Sequence, residues 1–129
     1  MAAAREAQSQ QRATVSLKKI QAQSDLLEFF AFASPTYLRT YFKDIPKSQV
    51  ILLSSVAENV LYNPALADSV DENHRSALAS NRAAIRKLAS PISWEAKATL
   101  LANRGYRFVP LLASTVSVHL GRIRHAAES

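Results

Sequence analysis

The chain has 129 residues, a net charge of +6 and a pI of about 10.0, and it contains no cysteine. This length fits a single domain with its own hydrophobic core. The lack of cysteine excludes disulfides, thiolate metal sites and cysteine-based catalysis. Two glycines and five prolines leave few tight turns for hairpins, so we expect an all-α fold without a sheet.

The first 24 residues are polar and rich in Ala, Gln and Ser. They lack the apolar run of a secretory signal, so we expect an intracellular protein. We predict a helical or frayed extension over residues 1–24 and a single helical domain over residues 25–129. The expected architecture is a compact bundle of five to six helices, from which a long N-terminal helix can protrude.

Helix boundaries are visible in the first half of the chain. Ser34 followed by Pro35 is typical of an N-cap and a first helical residue, and it predicts a short helix. The chain restarts at residues 44–46, where a proline precedes an amphipathic helix with apolar residues three and four apart. Asn63 and Pro64 are expected to end that helix.

The next predicted helix begins at Asp71 and Glu72, because acidic residues suit the positive end of a helix dipole. It is expected to continue without interruption to Ala89. Ser90 and Pro91 then end it.

Two helices are predicted after residue 92. Ser93 caps the first of them, and Arg104 followed by Gly105 is typical of its end. Pro110 is then expected to open a final helix that continues to about Arg124.

The titratable residues form no convincing catalytic or metal site. The histidines lie far apart in the sequence, at positions 74, 119 and 125. Asp71 and His74 are three residues apart, which favours a solvated surface pair over half of a site. The acidic cluster at Asp68, Asp71 and Glu72 lacks the ligand spacing of a calcium loop. We therefore predict no enzyme activity, no metal and no cofactor.

Basic residues are in greatest excess after residue 92. They flank the apolar C-terminal helix at Arg104, Arg107, Arg122, Arg124 and His125, and an earlier helix carries Arg82, Arg86 and Lys87. Such groups can contact nucleic-acid phosphates without reading sequence. They can equally form a solvated rim that keeps the protein soluble, and the sequence leaves both interpretations open.

The aromatic residues are concentrated between positions 29 and 42. Their helical spacing favours a role in the core over a platform for stacking bases: Phe29, Phe30, Phe32, Tyr37, Tyr41 and Phe42. Trp94, at the start of a predicted helix, can anchor that helix to the bundle or lie in an interface with a partner.

Three segments occur in a suggestive order: residues 57–63 (Ala-Glu-Asn-Val-Leu-Tyr-Asn), residues 85–89 (Ile-Arg-Lys-Leu-Ala), and residues 93–112, which end in paired leucines. Together they resemble small basic proteins of adenovirus-like mobile elements and viruses of animals, the Polinton or adintovirus group. The resemblance covers about residues 50–112. The chain departs from that pattern at Tyr106, where a second glycine is expected, and at Ala98, where a basic residue is expected.

The resemblance implies a nonenzymatic virion component that is associated with the genome, in a particle or in the host nucleus. It implies a basic role for Arg82, Arg86, Lys87, Lys97, Arg104 and Arg107. It implies an apolar role for Phe108, Leu111 and Leu112, which together with Trp94 form the predicted interface.

Two further functions remain open from the sequence. The protein can be a homo-oligomeric helical scaffold or interaction module, in which the charge serves only solubility. The last helix, apolar with arginines at both ends, can also bind a membrane surface. No small-molecule substrate is expected under any of these hypotheses.

Overall fold

The computed structural model describes residues 17–69 and 72–128, and the described residues are helical with no strand. The α-helices in chain order are α1 Ser24–Phe32, α2 Pro35–Tyr41, α3 Lys47–Tyr62, α4 Glu72–Ser80, α5 Arg82–Ala89, α6 Trp94–Leu100 and α7 Tyr106–Glu128. Two 3-10 helices follow α2 and α3, at Phe42–Asp44 and Pro64–Ser69, and a π-helical turn at Leu101–Gly105 joins α6 to α7. The predicted all-α bundle is confirmed.

Helices α7 and α3 are the elements around which the others pack. Helix α7 contacts α1 most extensively and also packs against α2, α3 and α4, while α3 packs against α5 and α6. The core contains large side chains from both halves of the chain, among them Phe30, Phe42, Leu53, Leu88, Phe108 and Leu112. The buried face of each helix therefore follows from its three-and-four apolar spacing.

The local boundary signals produce the expected caps. The Ser34 hydroxyl accepts a hydrogen bond from the Tyr37 backbone N–H at 3.2 Å, and Pro35 is the first residue of α2. The Ser93 hydroxyl accepts from the Ala96 backbone N–H at 3.2 Å. Each bond satisfies an N–H that has no partner inside its helix.

The single helix predicted between Asp71 and Ala89 is wrong, because Asn81 divides it into α4 and α5. The Asn81 backbone N–H donates to the Leu78 carbonyl, and its side-chain amide donates to the Ala77 carbonyl at 2.9 Å. These bonds compete with the regular helical pattern and allow a turn. Asp71, the expected first residue, lies outside the described residues.

The predicted break between Gly105 and Pro110 is also wrong. The chain continues through the π-helical turn into α7, and Pro110 lies inside that helix. Both glycines keep negative φ values, so Gly105 does not adopt the left-handed conformation that commonly ends a helix. Gly105 instead contacts the ring of Phe42.

The N-terminal part of the described chain belongs to the core. Residues 17–21 are helical, Ile20 is fully buried and Leu17 packs against buried side chains. These residues lie within the extension that is predicted over residues 1–24. The predicted protruding helix falls mainly on residues 1–16, which lie outside the described residues.

Candidate anion-binding surface

A shallow depression of about 470 Å³ lies where α2 faces the π-helical turn. Its lining is Thr36, Arg39, Thr40, Lys43, Ala102 and Asn103. Thr36, Arg39 and Thr40 are three or four apart, so they share one face of α2. Lys43 continues this spacing in the 3-10 helix that follows. The lining thus combines a guanidinium, an ammonium, two hydroxyls and a carboxamide, and it includes no carboxylate.

The sequence places this polar face toward solvent because the opposite face of the same helix is apolar. Leu38 and Phe42 are fully buried and fix the rotation of α2 on the core. The N-cap at Ser34 fixes where the helix begins. Arg39 and Lys43 are consequently exposed together.

Tyr106 joins the depression to a further arginine. The Arg39 guanidinium carbon lies 4.9 Å from the centre of the Tyr106 ring, and that of Arg107 lies 5.6 Å from it. Arg107 Nε–H also donates a hydrogen bond to the Tyr106 hydroxyl at 3.0 Å. Cations are attracted to the face of an aromatic ring, so one tyrosine holds two arginines that are distant in sequence.

The same arrangement lowers the pKa of Tyr106 from its ordinary value. The hydrogen bond from Arg107 is the largest cause, desolvation opposes it, and the charges of Arg107 and Arg39 add to the lowering. A lowered tyrosine pKa indicates that negative charge is favoured at this position.

We call Arg39, Lys43 and Arg107, with Thr36, Thr40 and Asn103, the junction surface. Arg107, which is predicted from the sequence, is exposed here, and Arg104, also predicted and exposed, directly follows Asn103 in the chain. Arg39 and Lys43 are not predicted as contact residues from the sequence. Nearby acidic residues offset their charge, so the net charge of this part of the chain is low: Asp25, Glu28 and Asp44. Their four-residue spacing on a helix with a buried opposite face was the available signal.

The other predicted cations on α5 lie on a different element. Arg82, Arg86 and Lys87 are exposed, and Arg82 lines a second depression of about 450 Å³ together with Arg75 and apolar residues of α3 and α4. Arg122 and Arg124 lie near the end of α7, and their side chains lie outside the described residues. Among the predicted cations whose side chains the structure describes, Arg107 is the one that a ring contact joins to the junction surface.

Lys97 turns toward the bundle, which corrects its assignment to the basic contact surface. Its ammonium donates to the Ser54 hydroxyl at 2.6 Å, and that hydroxyl donates to the Leu88 carbonyl at 3.0 Å. This chain of bonds joins α6, α3 and the end of α5. A lysine that activates a serine as a base accepts a hydrogen bond from the serine hydroxyl. Here the Lys97 ammonium donates the hydrogen bond to Ser54, so this pair is not arranged for that chemistry.

Two of the predicted interface residues are also corrected. Phe108 and Leu112 are fully buried in the core of the chain itself, because they lie on the face of α7 that packs against the other helices. Leu111 is half-buried. Trp94 is half-buried and lies under the Lys47 ammonium, 5.8 Å from the ring centre.

Within residues 17–69 and 72–128, no three His, Asp or Glu side chains come together in a way that could hold a metal ion. The helices of that same region are each too short or too polar to cross a bilayer.

Comparisons with protein-family models, with curated proteins and with solved structures each gave no match for this chain. The resemblance to Polinton and adintovirus proteins therefore stays a prediction from sequence motifs.

Proposed function

We propose that this protein is a nonenzymatic structural protein that binds nucleic acid through backbone phosphates, without reading sequence, at the junction surface. The observation that carries the proposal is the depression lined by Arg39, Lys43 and three neutral donors, with no carboxylate in its lining. Guanidinium, ammonium, hydroxyl and amide groups are the side chains that most often contact phosphate oxygens.

The pair of arginines around Tyr106 supports the same ligand. Arg39 and Arg107 are both close to one ring, so their positive charges reinforce the local potential. An anion bound beside them would offset their mutual repulsion. A phosphate backbone supplies such anions at regular intervals, and a role inside a virus-like particle or at its genome is the biological setting that the sequence resemblance suggests.

The test is the salt dependence of binding to a DNA duplex. Each phosphate contact contributes about 0.9 to the slope of log K against log salt. We expect the Arg39→Gln/Lys43→Gln double variant to reduce that slope by about two and to weaken binding at low salt.

Lys18→Gln/Lys19→Gln is the matched control, because it removes the same charge from exposed residues of another segment. Equal losses in the two double variants would show that only net charge matters and would contradict a defined surface. Absence of salt-sensitive binding by the wild type to both a duplex and a single strand would contradict the proposal as a whole.

A second function, self-association as a helical scaffold, is favoured by a different observation. A groove between α3 and α6 is lined partly by Ile51 and Ile92, which are 52% and 37% exposed, and by Trp94. Exposed apolar side chains at one groove are typical of contact sites. Light scattering at high salt, with Ile51→Gln as the variant, would detect an oligomer that depends on this groove.

A further inference from the structure

We infer that the ligand of the junction surface is single-stranded nucleic acid, whose bases stack on exposed aromatic rings next to the basic face of α2. The inference rests on the proposed function, and it adds the class of nucleic acid and the residues that contact the bases. We call Tyr37, with Phe29 and Tyr41 packed against it, the aromatic shelf. Phe32, the last residue of α1, is a second exposed ring that precedes it in the chain.

The aromatic residues between positions 29 and 42 include both buried and exposed rings. Phe30 and Phe42 are fully buried, whereas Phe32 is 85% exposed and Tyr37 is 54% exposed. The predicted core role thus holds for the inner rings and does not hold for these two. The exposed part of a large aromatic side chain gains no stabilisation from burial in the folded chain.

Tyr37 is held in a fixed position by its neighbours. Its ring lies edge-on to Phe29 with centroids 6.0 Å apart, and it stacks with Tyr41 at 6.1 Å and an interplanar angle of 25°. Tyr41 is fixed in turn because its hydroxyl donates to the Gln49 side chain. A preordered ring loses little side-chain entropy when a base stacks on it.

Tyr37 and Arg39 share the short helix α2, and Lys43 follows them in the 3-10 helix Phe42–Asp44. Tyr37 directly follows Thr36 and lies three residues before Thr40, and both threonines line the basic depression. Residues three apart on a helix are neighbours on its surface. A strand with its phosphates at Arg39 and Lys43 would therefore carry its bases close to Tyr37.

This combination distinguishes single strands from other anionic partners. In a duplex the bases are paired and stacked on one another, so their faces are not free for the shelf. An acidic peptide would match the cations and would leave the exposed rings unused. Aromatic rings beside a positively charged groove are the arrangement by which proteins bind single strands without reading sequence.

The experiment compares a labelled oligothymidylate with an abasic oligomer of the same number of phosphates, by fluorescence anisotropy on the full chain. Stacking of one base contributes about 1–3 kcal/mol, so we expect at least about fivefold tighter binding of the thymidylate. Tyr37→Leu should remove most of that ratio, and Tyr37→Phe should retain it. Arg39→Gln should weaken both oligomers by the same factor.

Equal affinity for the two oligomers, or a ratio unchanged in both Tyr37→Leu and Phe32→Leu, would overturn the single-strand inference while leaving phosphate binding intact. Failure of both oligomers to bind at low salt would overturn the proposed function as well. Circular dichroism of each variant shows whether the helices are kept. Loss of binding only in the leucine variants that keep wild-type helix content supports the inference.

Discussion

Gly105 lies directly against Phe42, and the contact leaves no room for a larger residue. A Cβ atom built on Gly105 would be 2.9 Å from Cε2 and 3.0 Å from Cδ2 of that ring, and 3.2 Å from a methyl group of Leu101. Phe42 is 1% exposed and stacks on Phe30, so its ring has little space in which to shift. The π-helical turn thus brings the backbone close to the core at its glycine.

We therefore expect Gly105→Ala to destabilise the protein, although alanine is the better helix former. Overpacking of a core costs about 1–3 kcal/mol, and replacement of a helical glycine returns about 0.5–1 kcal/mol. The difference is a net loss of up to about 2.5 kcal/mol in the free energy of unfolding. Urea unfolding followed by circular dichroism measures it.

Gly121→Ala is the matched control, because a Cβ there meets nothing within 4 Å and the position is exposed in α7. It should raise the free energy of unfolding by about 0.5–1 kcal/mol. Equal changes in the two variants would show that the contact with Phe42 does not constrain position 105.

The boundaries that could be predicted from the sequence depend on local chemistry. Ser34, Ser93 and Asn63 act through hydrogen bonds within a few residues of themselves. Pro35 acts through its own fixed φ angle. Such signals can be read without knowledge of the rest of the fold.

The continuous helix through Gly105 and Pro110 could not be predicted in that way. Glycine and proline in this order are typical of a helix end and a new start, and the reason for the glycine here is a ring from a distant segment. The direction of Lys97 likewise depends on Ser54, which is 43 residues away in sequence. Contacts between distant segments decide both features.

The hydrogen bond from Lys97 to Ser54 predicts that this lysine contributes to stability and does not contact DNA. Removing the ammonium leaves a buried hydroxyl without one of its partners, a loss that costs about 1–3 kcal/mol. We expect Lys97→Met to lower the free energy of unfolding by about this amount and to leave the salt slope of DNA binding unchanged.

Arg104→Gln should have the opposite pattern, with stability retained and DNA affinity reduced, because Arg104 is exposed. A double-mutant cycle of Lys97→Met with Ser54→Ala measures the coupling, which should be about 0.5–3 kcal/mol. A zero coupling energy, or loss of DNA binding in folded Lys97→Met, would contradict the structural assignment.

The ionisation of Tyr106 depends on two arginines of the junction surface. The hydrogen bond from Arg107, with the charges of Arg107 and Arg39, lowers its pKa in the folded protein. For an acidic group with a lowered folded pKa, the contribution to stability is present above the unfolded pKa and is lost as the pH falls through the folded pKa. The ionised form of Tyr106 therefore stabilises the folded protein on the alkaline side of its folded pKa.

The ionisation itself can be followed by ultraviolet difference titration of the wild type against Tyr106→Phe. The midpoint assigned to Tyr106 should lie below that of an ordinary tyrosine, and Arg107→Gln should raise it. A nucleic-acid phosphate bound beside Arg39 and Arg107 adds negative charge, so saturation with an oligonucleotide should also raise the midpoint. A midpoint that responds to Arg107→Gln and stays constant on saturation would place the bound phosphates away from Tyr106.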